Sequence, residues 1–150
     1  MDMQCENLLK SLTDLGFEKA GSFSSEDAVL DLNFEEGYAE QEELLYCFVL
    51  KDLPKYVGKT VKTLKERMGQ YRRGDPSQRT NHRINKMIVE ALKHDNVNTI
   101  EIYVLTFSEQ HNYRGFRLNL AAGLEYTLIA YVKDTLEGCG EESWNKAGTT

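Results

Sequence analysis

Glu125 is the residue whose setting most demands an explanation. It is the single ionisable carboxylate in the stretch Leu120-Ala121-Ala122-Gly123-Leu124-Glu125-Tyr126-Thr127-Leu128-Ile129-Ala130-Tyr131-Val132. A helix this apolar packs into a core on most sides, and a carboxylate there is costly unless something cationic meets it. A divalent metal or an arginine would serve; a glutamate at the helix edge, reaching water, is the other solution. Earlier in the chain, Tyr56-Val57-Gly58-Lys59-Thr60 invites a phosphate-loop reading. That motif needs a glycine five residues before its Gly-Lys-Thr glycine, and Leu53 stands there with Pro54 behind it. A nucleotide loop is therefore excluded. What is left is a strand end, a glycine, a lysine and a helix start, whose free N–H groups attract phosphate, or else a plain turn. Arg67 and Tyr71 lie four apart and share one helical face. Such an arginine can hold a phosphate bidentately or stand as an ordinary surface charge. His82, His94 and His111 show no metal-ligand spacing with each other or with Cys5, Cys47 and Cys139, which argues against a zinc site. His82, at a helix start among basic residues, is the histidine worth testing.

Charge along the chain is segregated. The total is −6, which alone argues against a nucleic-acid partner. Residues 1–43, however, hold twelve Asp and Glu against Lys10 and Lys19. Residues 51–94 hold twelve Lys and Arg against Asp52, Glu66, Asp75 and Glu90. Residues 95–150 are again acidic, with eight carboxylates and four basic groups. A basic middle can bind a polyanion locally because phosphate attraction acts over about 10 Å at ordinary salt; a solvated basic face with no partner is the alternative.

These residues need elements to carry them. The 150-residue chain is the size of one domain, and its 41% apolar content can fill a core. No apolar run is long enough for a membrane helix. The N-terminus lacks the basic and apolar regions of a signal peptide, so the protein is expected to be cytoplasmic, with no membrane partner and with reduced cysteines. Leucines 8, 9, 12 and 15 predict a helix over 4–16, and residues 17–43 read as an irregular acidic segment. Leu44-Leu45-Tyr46-Cys47-Phe48-Val49-Leu50 is an uncharged, β-prone run and predicts a central strand. After a turn at residues 51–54, a second strand over 55–58 completes a hairpin. Thr60 is the expected N-cap of a helix that turns Val61, Leu64, Met68 and Tyr71 inward. A second helix runs from Asn81 to about Lys93, a third strand covers 100–107, a loop spans 108–117, and a last helix covers 119–136. The expected class is α+β, one sheet with helices against it.

The order of the chemical residues resembles the GIY-YIG nuclease superfamily. Tyr46 sits in the first strand, Tyr56-Val57-Gly58 follows ten residues on, and Arg67 follows eleven residues after Tyr56. Asn81, Glu125 and Asn145 come next. The resemblance covers residues 44–148. Where the family often has Gly-Ile-Tyr this chain has Leu44-Leu45-Tyr46, and where a histidine is common four residues after the arginine it has Tyr71. The resemblance implies a small three-stranded antiparallel sheet flanked by helices over residues 44–150, with residues 1–43 as an acidic N-terminal extension. That extension could cover the basic groove, form a dimer contact, bind a partner or pack on the sheet edge.

The family cuts DNA with one divalent metal, Mg²⁺ or Mn²⁺, in each active site. By this resemblance Glu125 would ligate the metal and Arg67 would grip the scissile phosphate. Tyr46 would accept the water's proton with Tyr56 beside it, and Tyr71 and Lys59 would complete the polar shell. The phenols would need their pKa lowered, with Lys59, Arg67 and the metal as the depressing charges. Gly58, Lys62, Arg72, Arg73, Arg79, Asn81, His82, Arg83, Lys86 and Asn145 would meet DNA, with Asn145 bonding either the backbone or a phosphate at the site's edge; such contacts position the duplex rather than read it. Loops 72–83 and 108–117 are the candidate base readers. The implied function is a DNA endonuclease of restriction, defence or repair type, with cutting of both strands needing a homodimer or two visits. A catalytically silent nucleic-acid-binding module on the same scaffold is the second possibility.

Overall fold

The computed structural model describes residues 3–27, 29–94, 96–107 and 111–146. Helices α1 (Met3–Glu6) and α2 (Leu8–Leu15) lead into strands β1 (Glu18–Glu26) and β2 (Val29–Phe34). The hairpin β3 (Leu44–Leu50) and β4 (Leu53–Thr60) follows, then α3 (Leu64–Arg73), α4 (Arg79–His94) and β5 (Thr99–Thr106). A small hairpin, β6 (His111–Tyr113) and β7 (Phe116–Leu118), precedes the long helix α5 (Leu120–Gly138). Residues 108–110 of the expected loop lie outside the described residues.

The main sheet is antiparallel with strand order β2-β1-β5-β3-β4. It has five strands, not the expected three. The difference comes from residues 17–43, which supply β1 and β2 instead of an irregular segment. β2 forms one edge and β4 the other. Strand β3 is buried along its whole length, and its side chains alternate between two cores, as the pleat requires. Leu44, Tyr46, Phe48 and Leu50 join Tyr56, Leu64, Met68, Tyr71, Ile84 and Ile88 on the α3/α4 face. Leu45, Cys47 and Val49 join Leu8, Leu12, Val57, Leu128 and Val132 on the α2/α5 face.

Two local expectations shift. Helix α3 starts later than predicted: β4 runs through Thr60, Val61 is exposed, and Thr63 is the N-cap. The Thr63 hydroxyl accepts from the Glu66 N–H at 3.1 Å, in a Thr-x-x-Glu pattern that favours a helix start. Three reduced thiols were expected, yet Cys5 and Cys139 are joined, with Cα atoms 6.5 Å apart. The fold brings α1 to the end of α5, and only Cys47 is free, buried within the sheet.

Phe48 is the ring on which the α3/α4 core is assembled. Phe23, Tyr46, Tyr56 and Tyr71 all lie with centroids 5.4–5.6 Å from it. Replacing it by alanine removes a fully buried aromatic and leaves a cavity under three tyrosines. Phe48→Ala is expected to lower the unfolding free energy by about 3–5 kcal/mol in urea titrations.

Candidate active site

Three tyrosines converge because their elements cross on one face of the sheet. Tyr46 comes from β3, Tyr56 from β4 and Tyr71 from α3, and all three are buried. Their hydroxyls form a chain. Tyr46 and Tyr71 share a hydrogen bond of 2.5 Å, and Tyr71 donates to Tyr56 at 3.4 Å. Gly58 makes room for this. It pairs with Tyr46 across the β3–β4 ladder, and a Cβ at Gly58 would lie 2.4 Å from Cζ and Oη of Tyr46. The ring thus lies against bare backbone. Gly58 is inside the strand, six residues before α3, so the structure does not put it at a helix N-terminus as the sequence suggested.

Arg67 reaches the hydroxyl chain from α3. Its Nε donates to Tyr46 at 3.2 Å and its Nη2 to Tyr71 at 2.6 Å. Its Nη1 donates to the side-chain oxygens of Gln70 at 2.6 Å and Asn81 at 2.7 Å. The guanidinium carbon lies 4.1 Å from the Tyr71 ring centre. All four acceptors are neutral, and among the described residues no carboxylate lies within ion-pair distance of Arg67. The guanidinium is thus oriented but not neutralised. Of its five N–H groups, one on Nη2 has no acceptor among these.

Glu125 approaches from α5, which packs along β4. Because β4 is the sheet's edge, a helix on the other face can bring a side chain round toward Tyr56. Burial raises the Glu125 pKa, and Lys59 on β4 partly counters this. Tyr56 feels the charges of Arg67, Arg83 and Glu125. Among the described residues Glu125 forms no ion pair, and no group of three His, Cys, Asp or Glu side chains is placed to hold a metal. A lone carboxylate still suits Mg²⁺, which keeps several waters and takes one or two carboxylates plus substrate phosphate.

In the free protein the phenol pKa values are not lowered. Burial pushes Tyr46, Tyr56 and Tyr71 all upward, and the opposing pull of Arg67 does not reverse it. The free protein therefore holds three neutral phenols.

The residues predicted to meet DNA divide into two groups. Lys62, Arg72, Arg73, Arg79 and Lys86 are exposed. The others already have internal partners. Asn81 is buried and holds Arg67. His82 Nδ1 bonds the Gly74 carbonyl at 2.9 Å, at the end of α3. Arg83 donates to the Trp144 carbonyl at 2.8 Å. Asn145 is buried, accepting from the Val57 N–H and donating to the Val57 carbonyl, both at 2.9 Å. It seals the outer edge of β4: of the backbone and the phosphate between which the sequence left it, the backbone takes the amide. Gln70, one helical turn from Arg67, was missed; the i, i+3 spacing was its signal.

The sequence matches no family profile and no curated protein. Solved structures do match. EndoII of bacteriophage T4, in a point-mutant form, superposes with a TM-score of 0.62 at 19% identity, covering 93% of this chain and 98% of that one. The restriction endonuclease HPY188I, in complex with product DNA, gives 0.52 at 15% identity, covering 87% and 84%. The chain shares its α+β fold with these two nucleases.

Two consequences can be measured. A phenol kept protonated in the fold, but titrating near 10 when unfolded, favours the fold below that pH and loses this effect above it. Stability should fall as pH rises past about 10, by up to about 1.4 kcal/mol per pH unit for each such phenol, and Tyr71→Phe should flatten the slope in urea unfolding at pH 9 to 11. Glu125 has the same sign with a carboxylate range: its raised pKa means that ionisation opposes folding at neutral pH. Glu125→Gln should melt no lower than wild type at pH 7 without metal, the difference closing as pH falls below about 4.5.

Proposed function

We propose that this chain is a divalent-metal-dependent DNA endonuclease that hydrolyses phosphodiester bonds. The observation that carries the reading is Arg67: a half-buried guanidinium fixed by four neutral acceptors, with no carboxylate among the described residues at ion-pair distance. An anion is the partner that such a charge lacks, and the remaining Nη2 N–H can donate to a phosphate oxygen. The fold shared with a phage endonuclease and a DNA-bound restriction endonuclease supports phosphodiester DNA as that anion.

In this reading Arg67 holds the scissile phosphate and stabilises the negative charge that grows on it. Gln70 and Asn81 keep the guanidinium plane fixed, so little reorganisation is needed when charge develops. Glu125 holds a Mg²⁺ or Mn²⁺ ion, with Lys59 close by to balance the phosphate. A cation bound there supplies Lewis acidity and lowers the pKa of a coordinated water. The three phenols of the free protein are neutral, so one of them would first have to release its proton to solvent when substrate and cation are bound; the tyrosinate left at Tyr46 or Tyr56, whose hydroxyls Tyr71 links, would then accept the attacking water's proton. Lys62, Arg72, Arg73, Arg79 and Lys86 draw the duplex in through its backbone.

The decisive assay is plasmid cleavage by purified protein with Mg²⁺ and with EDTA. Nicking with Mg²⁺ alone is the expected result. Arg67→Ala and Glu125→Ala should each lose it by on the order of 10³-fold, with unchanged circular dichroism. Binding without nicking in any metal would identify a silent binding module instead. Affinity measured in EDTA should also fall steeply between 50 and 200 mM salt; a flat response would remove the basic residues from the interface.

A further inference from the structure

The β6–β7 hairpin has no role in the chemistry above. Tyr113 pairs with Phe116, leaving Arg114 and Gly115 as a two-residue turn with φ of 50° and 85°. Positive φ at both positions is the type I′ turn, whose twist matches its strands. The arm thus has a defined shape although its residues are exposed. Cross-strand pairs share a face, so His111, Tyr113, Phe116 and Leu118 stand on one side and Asn112 and Arg117 on the other. Tyr113 is 60% exposed and Phe116 77%. Bare paired aromatics on a two-stranded ribbon gain nothing from the fold and mark a contact surface.

Charge selects the partner. Residues 111–118 include Arg114, Arg117 and His111 and no carboxylate, and the Arg114 guanidinium lies 5.3 Å from the Tyr113 ring centre. A second copy docked across a two-fold axis would set these arginines against their own kind. A polyanion with stackable rings matches both features. The arm also borders the candidate site. His111 and Arg117 line a cavity of about 550 Å³ with Lys59 and Asn119, Glu43 being the one carboxylate among the described residues of the lining. Helix α5 starts directly after the hairpin and carries Glu125 five residues later, about 7.5 Å along its axis.

We propose that the β6–β7 hairpin is a DNA-engaging arm: Tyr113 and Phe116 stack on or wedge between bases beside the cut, while Arg114 and Arg117 bind flanking phosphates. Aromatic wedges and base stacking of this kind recur where proteins distort or splay DNA. The inference rests on the nuclease reading and adds how the duplex is held at the site.

The test uses the full-length chain, a fluorescein-labelled duplex and anisotropy in EDTA. Tyr113→Ser/Phe116→Ser should weaken binding about 10-fold or more while keeping the slope of affinity against salt. Arg114→Ala/Arg117→Ala should reduce that slope by about 2. A 2-aminopurine scan along the duplex should show a site whose fluorescence changes with wild type and not with the aromatic variant. Wild-type affinity in the aromatic variant would overturn the arm and leave the nuclease reading intact. No binding by wild type would overturn both. A dimer in sedimentation velocity that the aromatic substitutions dissociate would assign the hairpin to self-association and overturn its role on DNA.

Discussion

A positive charge held in place by neutral groups is the constraint around which the site is built. Four oxygens fix Arg67, from Tyr46, Tyr71, Gln70 and Asn81, and none carries a formal charge. Hydrogen bonds satisfy four of its five N–H groups, but no carboxylate among the described residues matches the charge, which is expensive in a partly desolvated place without an anion. A carboxylate at any of those positions would have neutralised the charge. Glu125 shows the complementary arrangement: a partly buried acid with no ion-pair partner among the described residues, lifted in pKa by burial and only partly relieved by Lys59. Each group is in a setting that a bound partner of opposite sign would relieve, and a metal–phosphate pair would relieve both.

The sheet makes that arrangement possible by placing β4 at an edge. Tyr56 faces the α3/α4 core, whereas Val57 faces the α5 core one residue later. A site at an edge strand can therefore draw groups from both faces. The edge must then be protected, since unpaired backbone invites further strands. Asn145 does so at Val57, and the Trp144 N–H donates to the Lys55 carbonyl at 2.7 Å. The C-terminal segment thus guards the strand that bears the site. Gly58 completes the design by letting the Tyr46 ring lie on the backbone of its neighbour.

Long, strongly patterned elements were legible in the sequence, and the structure sets Arg67 against Tyr46 and Tyr71, two of the residues the sequence singled out. The uncharged run of β3, the periodic apolar face of α4 and the apolar body of α5 announce themselves. Strand β1 does not: Glu-Lys-Ala-Gly-Ser-Phe-Ser-Ser-Glu buries mainly Ala20, Gly21 and Phe23, and a register shift between Lys19 and Gly21 breaks its alternation. The Cys5–Cys139 bridge spans 134 residues and depends on helix packing that no local pattern shows. The raised phenol pKa values of the free protein were not legible, because sequence shows which charges are near but not how much water is lost. Likewise residue type alone leaves Asn145 open between backbone and phosphate, and does not reveal that the Gly74 and Trp144 carbonyls engage His82 and Arg83.

The central claim is that the planar fork of Arg67, and not merely its positive charge, assembles the site and grips the reacting phosphate. Arg67→Lys separates the two, because lysine keeps the charge but cannot hold Tyr46, Tyr71, Gln70 and Asn81 in the same plane. Single-turnover cleavage of plasmid at saturating Mg²⁺ is the direct measurement. The expected result is DNA affinity near wild type with a cleavage rate lower by about 10²-fold or more; cleavage at the wild-type rate would contradict the claim.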